Sequence, residues 1–215
     1  ASEMLLQLIN DLLDFSKIEA GKLTLAIKPH DVRASITSII EIFADQAEAK
    51  GLQLKLCIGS DITDELMFDE LRLRQVFANL VGNAIKFSHN GTIEVGISAD
   101  DKTDSYYKLH CWVKDQGIGI SKENQAKLFT PFTQAESSIA RNYGGTGLGL
   151  NISNNLLKLM GTSLSLESEL EKGSTFSFDV VFAKAAEVTK PPPSTRLPDE
   201  TLHGLRVLLA EDLSL

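Results

Sequence analysis

The sequence predicts an α+β domain, with a mixed sheet covered by helices on one face. Three observations carry that expectation. Segments with strand-like alternation come in pairs, so the regular strand–helix order of a doubly wound parallel sheet is missing. The long segments between them repeat apolar residues at three- and four-residue spacing, the period of a helix with one buried face. Glycine-rich turns follow a strand or open a helix, where exposed backbone can approach a ligand closely.

Residues 2–18 form a helix on which Leu5, Leu8, Leu12 and Phe15 make a stripe, widened by Leu6, Ile9 and Leu13. Such a stripe belongs to a helical hairpin or to a helix packed on its own domain, and Gly21 ends it. Leu23, Leu25 and Ile27 alternate like a strand. Asp31 is placed to cap a helix that runs to Lys50, with Ile36, Ile39, Ile40 and Phe43 on its apolar face and Gly51 after it. Leu52, Leu54 and Leu56 alternate as a strand. A long helix spans Asp69–Phe87, and strands fit Thr92–Ser98 and Tyr107–Lys114. Residues 116–149 are loop-rich, with a short helix near Lys122–Phe129. A helix over 148–160 and strands over 163–168 and 175–182 close the unit.

The domain organisation follows. Residues 1–21 are a helical appendage and 22–183 the α+β domain. Residues 184–203, with Pro191-Pro192-Pro193 and Pro198, read as an extended linker. Residues 204–215 hold the strand Leu205–Leu209 and the pair Glu211-Asp212; they look like the start of a further domain cut short.

Composition excludes several classes. Hydrophobic residues make up 43% and charged residues 23%, the balance of a globular chain rather than a disordered one. A net charge of −8 argues against a nucleic-acid surface. No apolar run approaches the ~18–20 residues of a membrane span, and no leader opens the chain, so a cytoplasmic setting without membrane contact is expected. Cys57 and Cys111 are far apart and form no metal motif. An acidic chain that binds an anion must concentrate positive charge locally.

The helix over 69–87 shows where. At ~100° per residue, Arg72, Gln75, Asn79, Asn83 and Lys86 fall within a stripe about 80° wide, opposite a broad apolar face. A solvated face is the ordinary explanation of such a stripe. Composition speaks against it, because asparagine is a mediocre helix former and solvated faces favour Glu, Lys and Arg. Amide oxygens are hard neutral ligands suited to Mg²⁺, and a lysine one turn on can meet a phosphate. Phe87 borders the stripe, where it can lie against a planar base.

Asp115-Gln116-Gly117-Ile118-Gly119 follows a strand. By itself it is often a tight turn, but a buried carboxylate there can accept from the exocyclic amine of adenine. Gly144-Gly145-Thr146-Gly147-Leu148-Gly149 opens a helix, combining uncovered amides with the positive end of the helix dipole. It lacks the Gly-Lys-Ser/Thr of a Walker A loop and the preceding strand of a Rossmann turn. Arg141 is placed to reach a terminal phosphate, or is a surface arginine. Phe129-Thr130-Pro131-Phe132 anchors a loop that reads as a lid, and Gly173-Ser174-Thr175-Phe176 links the last two strands.

In this order the segments resemble the histidine kinase branch of the superfamily shared with gyrase, Hsp90 and MutL proteins. The resemblance covers about Asp31–Phe182 and implies the Bergerat α/β sandwich, a two-layer fold. Asn79–Phe87 resembles the N box, and Asp115–Gly119, Gly145–Gly149 and Gly173–Phe176 resemble the glycine boxes. It implies ATP and Mg²⁺ as ligands, with Asn83 on the metal, Asn79 and Lys86 at the phosphate–metal cluster, and Asp115 reading adenine. It extends the nucleotide contacts to Phe87, Gly117, Gly119, Phe132, Gly145, Thr146, Gly147, Leu148, Gly149 and Thr175. Asn79, Lys86 and Arg141 are the expected catalytic residues.

Hydrolytic relatives carry a glutamate base where Asn79 stands. An amide cannot take a proton from water, so transfer to an imidazole is expected rather than hydrolysis. Phe87 replaces the tyrosine common at its position. Residues 8–22 resemble the end of a dimerisation helix, and Leu205–Asp212 the start of a receiver domain. The implied partners are therefore a phosphoacceptor histidine domain on the same or a partner protomer, a receiver domain, and a second copy of the protein. His30, His89, His110 and His203 lack the setting of a phosphoacceptor. The competing reading is a degenerate module that binds nucleotide without phosphotransfer.

Overall fold

The computed structural model describes residues 2–125, 128 and 147–185. Helix α1 (Ser2–Glu19) turns Phe15 and Ile18 onto the core and leaves Ile9, Leu12 and Leu13 exposed. Gly21, at φ +64, ends it. The strand expected over 23–27 does not form. Leu23 is buried, but Ala26 N–H donates to Asp69 Oδ2 at 2.8 Å instead of to a neighbouring strand. The first strand, β1 (Lys28–His30), comes just after, where the chain pairs with β3 (Leu66–Phe68). β3 carries no signal in the sequence: two of its three apolar residues are buried and the third half-buried, so alternation never shows.

The remaining strands are β2 (Gln53–Ile58), β4 (Thr92–Lys102), β5 (Tyr106–Lys114), β6 (Ser165–Glu169) and β7 (Gly173–Lys184). The seven-stranded sheet runs β1-β3-β7-β5-β4-β2, with β6 added to β7. β2 and β4 are parallel and the other pairs antiparallel, so the sheet is mixed. β4 outruns its expected end at Ser98 because a bulge between Ala99 and Asp101 lets pairing with β5 resume.

Along β5 buried and half-buried residues alternate strictly, which marks one covered and one open face. Helices α2 (Val32–Glu48), α3 (Glu70–Phe87) and α5 (Gly149–Leu159) make the cover; α4 (Lys122–Gln125) is a single turn. Asp31 and Asp69 cap α2 and α3 by accepting from Ala34 N–H and Arg72 N–H, both at 3.1 Å. Phe77 of α3 meets Phe178 of β7 edge-on at 5.6 Å between ring centroids. α3 is thereby fixed on the middle of the sheet, with its polar stripe turned to α5 and to the end of β5.

Candidate functional site

The five residues of the α3 stripe divide into two groups. Arg72 and Gln75, expected beside the asparagines, both donate to Asp14 Oδ2 of α1, at 2.9 and 2.8 Å. The stripe's first half is thus the seat of another helix. Its second half faces α5. Asn79 Nδ2 donates to the Ser153 hydroxyl at 2.9 Å, and Asn83 Nδ2 donates to Asn79 Oδ1 at 3.4 Å. One turn further, the Lys86 ammonium lies 4.8 Å from the Phe87 ring centroid. Burial pushes the Lys86 pKa down, so an anion that restored its charge balance would be favoured.

The turn after β5 is hooked to the end of this stripe. Ile118 N–H donates to the Phe87 carbonyl at 3.2 Å, and a Cβ at Gly117 would stand 2.4 Å from that oxygen, so glycine is needed. Asp115 is 7% exposed. Its Oδ1 accepts from both Gly117 N–H at 2.8 Å and Ser174 N–H at 3.3 Å. Oδ2 takes no hydrogen bond among the described residues, which leaves one carboxylate oxygen for a ligand. Desolvation raises the Asp115 pKa, and the two amides oppose that rise. Gly119, at φ +66, has no room for a Cβ against the Glu169 carbonyl. Thr175 sits opposite Lys114 on β7, at the rim of an open depression of about 300 Å³ that also contains Asp115.

At the third side, α5 begins after Leu148 without a side-chain cap. The first amides of a helix have no carbonyl partner within it. Leu148 is 2% exposed and belongs to the core. Gly149 lies against Asn79: a Cβ there would come 2.3 Å from Asn79 Oδ1. Phe132, Arg141, Gly145 and Thr146 lie outside the described residues, as does the rest of the Phe129–Phe132 segment. Gly149, Asn79 and Asn83 thus form one run of contacts, and Lys86, Phe87, Gly117 and Asp115 follow at the end of the same stripe, with Gly119 further along the turn and Thr175 beside Asp115 at the depression. Ser153 was not legible as part of it, since an isolated serine inside a helix carries no motif. The potential cation ligands Asp100, His110 and Asp179 form a separate group that shares no residue with this region.

A family model described as histidine kinase-, DNA gyrase B- and HSP90-like ATPase matches residues 68–184. The chain belongs to this family. Among curated relatives, the signal transduction histidine-protein kinase BarA of Escherichia coli is 42% identical over 207 residues, covering 96% of this chain and 22% of BarA. The sensor protein GacS of Pseudomonas syringae is 41% identical over 98% of this chain and 23% of its own length. The chain spans about a fifth to a quarter of these relatives. Full-length ShkA, solved in complex with AMPPNP, superposes with a TM-score of 0.74 at 32% identity, over 85% of this chain and 36% of ShkA. The Acinetobacter baumannii histidine kinase AdeS, at 23% identity, shares the fold with a TM-score of 0.66 over 83% of this chain and 79% of that one. The α+β architecture is thus that of the family's histidine kinase catalytic domains. No helix among the described residues is long and apolar enough to cross a membrane.

Proposed function

We propose that this chain is the catalytic part of a protein-histidine kinase, binding ATP with Mg²⁺ and passing the γ-phosphoryl to a histidine on a separate helical domain. One observation carries the reading: the Ile118–Phe87 backbone bond holds the Asp115 turn against the end of the asparagine–lysine stripe. An adenine reader and a phosphate seat are then one site.

Asp115 Oδ2 would accept from the adenine amine, while Oδ1 stays bound to the backbone. Phe87 would flank the base, and Lys86 and the α5 N-terminus would offset phosphate charge. Asn83 would offer Mg²⁺ a neutral hard oxygen, and Lys86, one turn beyond, would meet a phosphate rather than the metal. The bound ion would neutralise charge on the phosphates. Arg141 would reach the terminal phosphate. Transfer breaks the bond between the γ-phosphorus and the β–γ bridging oxygen and forms a phosphorus–nitrogen bond to imidazole, leaving ADP.

The amide of Asn79 is held by Ser153 and Asn83 and has no basic atom with which to activate water. That favours a kinase over a hydrolase. We further infer that residues 1–21 are the end of a dimerisation hairpin, 184–203 a linker and 204–215 the start of a receiver domain, in a cytoplasmic, dimeric kinase.

The test is incubation with γ-labelled ATP and a separately supplied phosphoacceptor helical hairpin from a kinase of this family. Label should appear on that domain in an acid-labile, base-stable linkage. Nucleotide binding without transfer would overturn the kinase reading in favour of a binding module.

A further inference from the structure

The α3 asparagines are not oriented by their own helix alone. A primary amide has nearly the same shape in its two orientations, so hydrogen bonds decide between them. Asn79 Nδ2 donates to the Ser153 hydroxyl at 2.9 Å, and in that orientation Oδ1 faces Asn83. Asn83 Nδ2 donates to that oxygen at 3.4 Å, and in this arrangement its own carbonyl oxygen points the other way. Ser153 is 1% exposed, so water does not compete for its hydroxyl. Gly149, one turn earlier on α5, has no Cβ and so leaves room for the Asn79 amide to lie against α5 in this position.

We propose that Ser153 is a positioning residue for the metal end of the nucleotide site: its buried hydroxyl sets the Asn79 amide, which sets the Asn83 carbonyl oxygen toward the cation. The inference rests on the reading of Asn83 as the Mg²⁺ ligand. Ser153 itself touches neither metal nor nucleotide. Without its acceptor, Asn79 can rotate and Asn83 can turn an NH₂ group to the cation, which repels it. Because Ser153 and Gly149 share α5, whose N-terminus the nucleotide phosphates would meet, the relay also ties phosphate seat and metal ligand to one helix.

The experiment compares wild type, Ser153→Ala and Ser153→Thr in the whole chain by calorimetry with ATP, in Mg²⁺ and in EDTA. Ser153→Ala should weaken binding in Mg²⁺ about tenfold, the usual scale for losing a group that orients a metal ligand. Binding in EDTA should change less than about twofold, and Thr, which keeps the hydroxyl, should restore the Mg²⁺ value. A second readout needs no ligand: in ¹⁵N spectra the Asn79 side-chain amide protons should exchange with water faster in Ser153→Ala. That measurement decides the matter if Thr does not pack. Equal losses in Mg²⁺ and EDTA, or unchanged amide exchange, would overturn the inference. A wild type whose ATP affinity ignores Mg²⁺ would instead remove the Asn83 reading and the inference with it.

Discussion

Asp14 and Arg72, 58 residues apart in sequence, are joined at 2.9 Å, and Gln75 completes the triangle by donating to the same carboxylate oxygen. Both side chains of the ion pair are mostly covered, at 16% and 18% exposure. A bond of this kind is worth more than an exposed pair and less than a dry one. Asp14→Ala leaves two donors without their acceptor and should cost about 1–2 kcal/mol in urea unfolding. Backbone amides of α1 should exchange faster while those of α3 keep their protection. Unchanged exchange in α1 would mean that Phe15 and Ile18 alone hold the helix.

Asp115→Asn separates fold from ligand cleanly. Both backbone donors use Oδ1, which asparagine retains, while the substituted atom is the one left for a ligand. The variant should fold, yet lose ATP affinity by about 10- to 100-fold, the scale of a charged hydrogen bond. Calorimetry showing full affinity would remove the adenine assignment.

The same substitution has a pH signature. Burial raises the Asp115 pKa above the ordinary 3.8. The folded protein therefore binds this proton more readily than the unfolded chain, and the wild type gains stability as pH falls through the raised value. The gain is complete below 3.8 and absent well above the folded pKa. Unfolding free energy of wild type minus Asp115→Asn should rise toward acid across that window and stay flat near neutrality. A difference that does not move with pH contradicts the burial argument.

Gly96 tests the open face of the sheet, away from the site. It pairs with Trp112, and a Cβ there would fall 2.0 Å from the indole ring. The indole N–H donates to Glu94 at 3.1 Å and holds that carboxyl below its usual pKa. Gly96→Ala should push the ring off its seat and cost about 1–3 kcal/mol by overpacking. Tryptophan fluorescence should shift to the red, and ATP affinity should stay within about twofold, since α3 and Asp115 are untouched. A comparable loss of ATP affinity would show that the two faces of the sheet are coupled.

What the sequence made legible follows from range. α3 was readable because its core face and its stripe repeat within one helix. Asn79 and Asn83 stood out because one turn separates them. The division of that stripe was not readable, since it depends on Asp14, which reaches Arg72 only after the chain has folded back. Ser153 was hidden likewise: its partner is 74 residues away and nothing in its own helix distinguishes it. The strand expected over 23–27 failed because its alternation reflects packing of Leu23 and Leu25, whereas pairing required an edge that only residues 28–30 reach.

The contact between Gly149 and Asn79 gives the sharpest packing test. The Cβ of an alanine at 149 would lie 2.3 Å from Asn79 Oδ1 and 3.0 Å from its Cγ. Asn79 cannot retreat without leaving Ser153, so strain rather than lost backbone freedom is the cost. Gly149→Ala alone should destabilise by about 1–3 kcal/mol, because residue 149 opens α5 and the helix-interior preference for alanine does not apply there. Asn79→Ala removes the obstructing amide, and in its background the alanine at 149 should become neutral or stabilising. The four unfolding free energies of this cycle should therefore be non-additive by at least about 1 kcal/mol. Additive costs would mean that the start of α5 shifts to make room, and that Gly149 is required for some reason other than the amide beside it.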